Sequence, residues 1–153
     1  MTSLKFETFW SFHPRFSTIL RPFGVPIHVE SVVCLNRQSN VYNMKLHSSP
    51  FEMIKNGEKT IELRLLDEKR QQIKTGDKIV FTNNTTEETL NTTVVKLHRF
   101  DSFEELYKSL PLLKCGYTTE NVYNAKPSDM EQYYSVEEQN KYGVVGIELF
   151  RHQ

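Results

Sequence analysis

Short runs in which apolar and polar residues alternate, each closed by a turn or a helix-start signal, restrict this chain to a fold of brief strands. In Lys59 to Leu65, Ile61, Leu63 and Leu65 fall on one side of an extended strand, and Thr60, Glu62 and Arg64 on the other. One face is expected in the core and the other in water. Thr75-Gly76-Asp77 predicts a turn into a strand over Lys78 to Thr82, and Asn83-Asn84 a second turn before a strand from Thr89 to His98, together a hairpin. Val41 to His47 and the alternating Val145, Ile147 and Leu149 supply strands at either end. Helices are announced by Ser-x-x-Glu capping boxes at Ser49, Ser102, Ser128 and Ser135, in which serine and glutamate satisfy each other's end of the first turn. Pro50 at a first helical position and Gly57 as a C-cap predict a short helix over 50–56. The sum is an α+β domain, a curled sheet or barrel with short helices at its openings.

At 153 residues the chain can remove about two thirds of its unfolded surface from water, so folding requires neither metal nor disulfide. Cys34 and Cys115 form no C-x-x-C spacing, and two free thiols suit a reducing, cytoplasmic setting. No apolar stretch reaches the roughly 18 residues that a membrane-spanning helix requires. No phosphate-binding G-x-x-x-x-G-K or G-x-G-x-x-G loop and no G-x-S-x-G nucleophile elbow occurs. The 19 basic and 19 acidic residues cancel, so any contact with nucleic acid must be local.

Residues 1–43 differ from the rest. They hold Phe6, Phe9, Trp10, Phe12, Phe16 and Phe23 but no sustained period, and carry a net charge of +2 against −2 for residues 44–153. Two readings stay open: a basic, acid-poor leader, or an extension upstream of a native start at Met44, with the folded domain spanning 44–153.

Functional signals concentrate in 55–78, where seven basic residues meet five acidic ones around Gly57-Glu58-Lys59-Thr60-Ile61-Glu62-Leu63-Arg64. A helix ends there in glycine and a strand begins at once, so polar groups gather at a corner. Strict alternation puts Lys59 opposite Glu62, unless Lys59 lies before regular pleating starts, as is assumed. If exposed, a Glu62–Arg64 pair on one strand face contributes about 0–1 kcal/mol. His47 and His98 alternate with apolar neighbours and are expected on the solvent side of the wall. Neither has an acidic partner by spacing, and no metal site is expected. Of Tyr133 and Tyr134, one is expected in the core and one outside.

The G-x-K-x-x-E-x-R element (Gly57, Lys59, Glu62, Arg64), the following K-T-G-D-K-I-V-F and the late Y-Y-S-V-E-E-Q-N-K-Y-G-V-V-G-I-E-L resemble the ASCH (activating signal cointegrator homology) domain, a branch of the PUA-like β-barrels, over about residues 42–151. The resemblance implies a small PUA-like β-barrel with a cleft between barrel and helices that binds RNA or a modified nucleoside, without a cofactor. Some similar proteins hydrolyse acetylated cytidine and others are described as metal-independent ribonucleases. Carried onto this chain, Lys59, Thr60 and Glu62 are candidates for catalysis, with Lys59 holding an oxyanion or activating Thr60 or water. Arg64, Tyr133, Tyr134 and Ser135 are candidates for binding, Arg64 through phosphate and the tyrosines by stacking on a base. Lys126, Tyr117 and Tyr123 are further candidates for the border of the cleft. Three functions stay open: an RNA- or nucleoside-binding domain, an amidohydrolase for an acylated nucleobase, and a protein-interaction module whose charged face merely keeps it in solution.

Overall fold

A computed structural model of the protein describes residues 18–20, 26–28 and 38–152. The chain divides into two units, residues 1–37 and 38–153. In the first, β1 (Thr18–Leu20) pairs antiparallel with β2 (Pro26–His28), Ile19 opposite Ile27. The reading of the phenylalanine-rich leader, and Cys34 with it, otherwise falls outside the described residues.

The second unit runs β3 (Val41–Leu46), α1 (Ser48–Asn56), β4 (Ile61–Leu65), α2 (Glu68–Gln71), β5 (Lys78–Asn83), β6 (Thr89–Phe100), α3 (Phe103–Ser109), three 3₁₀ turns between Leu112 and Met130, α4 (Val136–Tyr142) and β7 (Val144–Arg151). Its five strands form one sheet in the order β3-β5-β6-β7-β4, with β3 parallel to β5 and every other pairing antiparallel. The sheet curls into a half barrel, as an α+β PUA-like fold requires. The expected β5–β6 hairpin forms, its turn held by Asn83 Oδ1, which accepts from the Thr85 N–H at 2.9 Å. The sheet also takes in Val41–Asn43, opposite Lys78–Val80.

Two apolar clusters cover the two faces of the sheet. Phe51 and Ile54 of α1 close one end of the concave side over Ile79, Phe81, Val94, Val145 and Ile147, all essentially inaccessible. Phe103 and Leu106 of α3 pack with Ile61, Leu63, Leu65 and Val144 on the other. Because β4 is covered on both sides, the expectation that Thr60, Glu62 and Arg64 form a wet face is corrected. Glu62 lies opposite Ile147 and Arg64 opposite Val145, which turns both charges to the concave, core-lined side.

Two helix starts follow the capping-box expectation. Ser135 Oγ accepts from the Glu138 N–H at 3.2 Å while Glu138 Oε2 accepts from the Ser135 N–H at 2.9 Å; at Ser102 only half of the box forms, Ser102 Oγ accepting from the Glu105 N–H at 3.4 Å while Glu105 Oε2 takes the Asp101 N–H at 3.3 Å. The other two are corrected. Helix α1 begins one residue before Ser49, at Ser48, with His47 as N-cap and no side-chain cap bond; Ser128 sits inside a 3₁₀ turn, Pro127–Met130, whose start is tied by Asp129 Oδ2 to the Lys126 N–H at 2.9 Å. Helix α2 was not expected; its cap is Asp67, accepting from the Arg70 N–H at 3.0 Å, a pairing without glutamate at the third position.

Gly146 sits where β7 is crossed most closely. A Cβ there would come within 2.7 Å of Leu110 Cδ1 and 3.1 Å of Ile61 Cγ2. Gly146→Ala is expected to lower the unfolding free energy by about 1–3 kcal/mol through overpacking, measured by urea denaturation. An unchanged midpoint would mean that Leu110 yields without cost.

Candidate functional site

Gly57 ends α1 in the left-handed region, φ 83°, with its N–H on the Ile54 carbonyl at 3.1 Å. The chain then turns before pleating begins. The Lys59 N–H donates to the Met53 carbonyl at 3.0 Å and the Thr60 N–H to the Lys114 carbonyl at 2.9 Å, so Lys59 belongs to the corner and β4 starts only at Ile61. That removes the parity conflict: Lys59 turns to the same side as Glu62.

Three charges meet there. Glu62 is 4% exposed; its Oε2 lies 2.8 Å from Lys59 Nζ and its Oε1 2.9 Å from Arg64 Nε. A buried carboxylate is tolerated only where cations replace its lost hydration, and here two do. Arg64 extends further, donating through Nη2 to the Lys45 carbonyl at 3.0 Å and through Nη1 to the Tyr134 hydroxyl at 3.4 Å. Strand β4 is one edge of the sheet and β3 the other, so this guanidinium bridges the open seam of the half barrel. Burial pulls the Arg64 pKa down, but the neighbouring Glu62 and Tyr134 outweigh it and hold the guanidinium above its ordinary value.

Above this floor opens a cleft of about 580 Å³. Lys45 and His47 stand on its β3 side, and Cys115, Gly116, Tyr107, Tyr117, Asp129 and Met130 close the opposite side with Tyr133 and Tyr134. Gly116, φ 106°, lets the lysine lie flat: a Cβ would come within 3.1 Å of Lys59 Cδ. The Cys115 thiol is raised to about 11, chiefly by burial, with Lys59 drawing it down and Glu62 pushing it up. Burial first, and the bond to Tyr117 second, raises the Tyr107 hydroxyl far above the ordinary phenol range; burial also raises Tyr117.

Of the residues singled out in the sequence, Lys59, Glu62, Arg64, Tyr133, Tyr134 and Tyr117 all line the cleft. Tyr134 is the more buried tyrosine, stacked on Phe103 with centroids 5.9 Å apart and planes 18° off parallel, whereas Tyr133 is 57% exposed. Thr60 and Ser135 are not among the lining residues, and neither are Lys126 and Tyr123. Thr60 is a backbone anchor, its carbonyl accepting from the Leu149 N–H at 2.8 Å, and Ser135 Oγ is occupied by its cap. His47 lies at the mouth of the cleft as the N-cap of α1. His98 is corrected: it has an acidic partner, Glu148, 3.0 Å away across β6 and β7, and is partly buried. Fifty residues separate the two, so spacing along the chain could not reveal the pair. Tyr107, Asp129 and Cys115 were missed because α3 and the 3₁₀ turns bring them to the same cleft as the motif only in space. Among the described residues no three His, Cys, Asp or Glu side chains gather to hold a metal ion, and no helix is long and apolar enough to cross a membrane.

The curled five-stranded half barrel with short helices is an α+β fold of the PUA-like class. Within it the chain belongs to the ASCH domain family, whose model matches residues 44–151. Similar solved structures include the crystal structure of hypothetical protein PH0355 (34% identity, TM-score 0.60, 73% of this chain and 99% of that one). The solution structure of protein PF0455 from Pyrococcus furiosus is also similar, with 32% identity and a TM-score of 0.58 over 74% of this chain and 98% of that one. No curated protein matches.

Removing Arg64 takes away one cation from a buried carboxylate and the bridge across the seam. Arg64→Ala is expected to lower the unfolding free energy by about 3–5 kcal/mol, with Arg64→Lys recovering part of it because an ammonium lacks the planar fork. Chemical denaturation checks this; a loss below about 1 kcal/mol would show that the seam holds without it.

Proposed function

We propose that the cleft binds RNA through a single nucleoside unit, with one base against the tyrosine wall and a phosphate or carbonyl oxygen toward Lys59. The observation that carries this reading is the Lys59–Glu62–Arg64 group, buried except for a half-buried Arg64 and joined by 2.8 and 2.9 Å contacts in a cleft of about 580 Å³ with aromatic walls. That volume lies within the range of small-molecule sites and suits one nucleoside, not a duplex. Tyr133, exposed and 6.4 Å from Tyr134, has a ring free to stack, a contact that contributes about 1–3 kcal/mol per base. Lys45, Lys59 and Arg64 against Glu62 and Asp129 give the lining a small positive excess, although the whole chain is neutral. A folded domain that reaches back from residue 44 to Val41, with an N-terminal extension before it and a cytoplasmic location, fits this reading.

A hydrolytic reading, in which Lys59 and Glu62 activate water toward an acylated nucleobase, draws on their 2.8 Å contact and not on Thr60, whose hydroxyl lies outside the cleft lining. Turnover of acetylated cytidine by the full chain, lost in Lys59→Ala, would establish it.

For binding, Lys59→Ala is expected to weaken a short single-stranded RNA about tenfold and to reduce the slope of log affinity against log salt by about one. Fluorescence anisotropy across a salt series measures both. Unchanged affinity and slope, in a variant with unchanged folding, would remove Lys59 from the site and favour a protein-interaction module.

A further inference from the structure

One side of the cleft carries a chain of hydroxyl groups that the ASCH motif does not include. Tyr107 of α3 and Tyr117, which follows the first 3₁₀ turn, place their hydroxyl oxygens 2.7 Å apart, with rings 5.9 Å apart and nearly perpendicular. The Tyr117 hydroxyl in turn donates to Asp129 Oδ2 at 3.2 Å, and that oxygen also accepts the Lys126 N–H at 2.9 Å. Tyr107, Tyr117 and Asp129 all line the cleft and come from a helix, a loop and a 3₁₀ turn.

The direction of this chain follows from counting protons. A phenol has one proton to donate. Tyr117 spends its own on Asp129, so in the short contact with Tyr107 it can only accept, and Tyr107 must donate. The Tyr107 oxygen is then left with lone pairs and no proton for a ligand. Burial, which raises both phenols, keeps them protonated at neutral pH, so the direction persists there. On the floor beside it Lys59 and Arg64 are donors only. The cleft thus combines a donor floor with an acceptor on one wall.

We propose that Tyr107, oriented through Tyr117 and Asp129, is a specificity-determining residue that makes the cleft select a base presenting an exocyclic amino group over one presenting a carbonyl at the same position. A carbonyl there would face a fixed acceptor, and two unpaired acceptors are left where one hydrogen bond should form. Tyr107 touches the ligand, while Tyr117 and Asp129 act as positioning residues. The inference rests on the reading of the cleft as a nucleoside site.

The test titrates the full-length protein with cytidine 5′-monophosphate and uridine 5′-monophosphate, which differ at that position, following amide shifts by NMR. The unmodified protein is expected to bind the cytidine nucleotide about tenfold more tightly. In Tyr117→Phe, Tyr107 loses its acceptor and can turn its proton to the ligand, so the ratio is expected to fall below about threefold while binding persists. Tyr107→Phe, which removes the acceptor itself, is expected to do the same and serves if Tyr117→Phe does not fold. A merely structural role for the tyrosines would weaken both nucleotides together and leave the ratio unchanged, which would overturn the proposal. Equal affinity of the unmodified protein for both would also overturn it, yet leave the nucleoside cleft standing. Absence of binding by either nucleotide would overturn the nucleoside reading and this inference with it.

Discussion

A carboxylate taken out of water sets the terms for this half barrel. Glu62 is held in the sheet interior, and its two oxygens are met by Lys59 at 2.8 Å and Arg64 at 2.9 Å. Neither cation is placed by β4 alone. Lys59 reaches the carboxylate because Gly57 lets α1 end abruptly and the chain is pinned to Met53 and Lys114 before pleating begins. Arg64 then joins one edge strand to the other through the Lys45 carbonyl. The electrostatic need of one side chain therefore fixes a helix end, a strand start and a barrel seam together.

The same arrangement makes the site. A closed barrel would have filled this space with apolar side chains, as Phe81 and Ile147 fill the far end. An open seam instead leaves a cleft, and the cations that neutralise Glu62 are held oriented on its floor. Preorganised charge in a site of low dielectric acts more strongly than the same groups on a surface. The helical and 3₁₀ segments between β6 and β7 complete the enclosure, bringing an aromatic wall and the Tyr107–Tyr117–Asp129 chain to the cleft that holds the ion group.

Much of this was legible in the chain because local signals and fold agree. The alternation in β4, β5 and β7, the turn at Asn83 and the Ser135–Glu138 box each have local causes, and the spacing of Glu62 and Arg64 already marked their pair, whereas alternation alone set Lys59 on the other face. What stayed hidden depends on contacts distant in sequence. The polar side of β4 reads as solvated by alternation, yet it faces a core because β7 and β3 flank it in space. His98 finds Glu148 only through strand pairing, and Ser128 lies within a 3₁₀ turn because Asp129, not Glu131, ties the turn's start. Thr60, adjacent to the key lysine, is turned to a backbone task by the corner that orients Lys59.

Entry of RNA into the seam above Lys59, Glu62 and Arg64, as proposed, has a direct spectral signature. Amide spectra of the full-length ¹⁵N-labelled protein, recorded with increasing amounts of a short single-stranded RNA, test it most directly. RNA bound in the seam is expected to shift amides concentrated at Lys45 to His47, Lys59 to Arg64, Cys115 to Tyr117 and Tyr133 to Tyr134. Shifts concentrated instead around exposed Val95 and Phe150, with the seam residues unmoved, would contradict it.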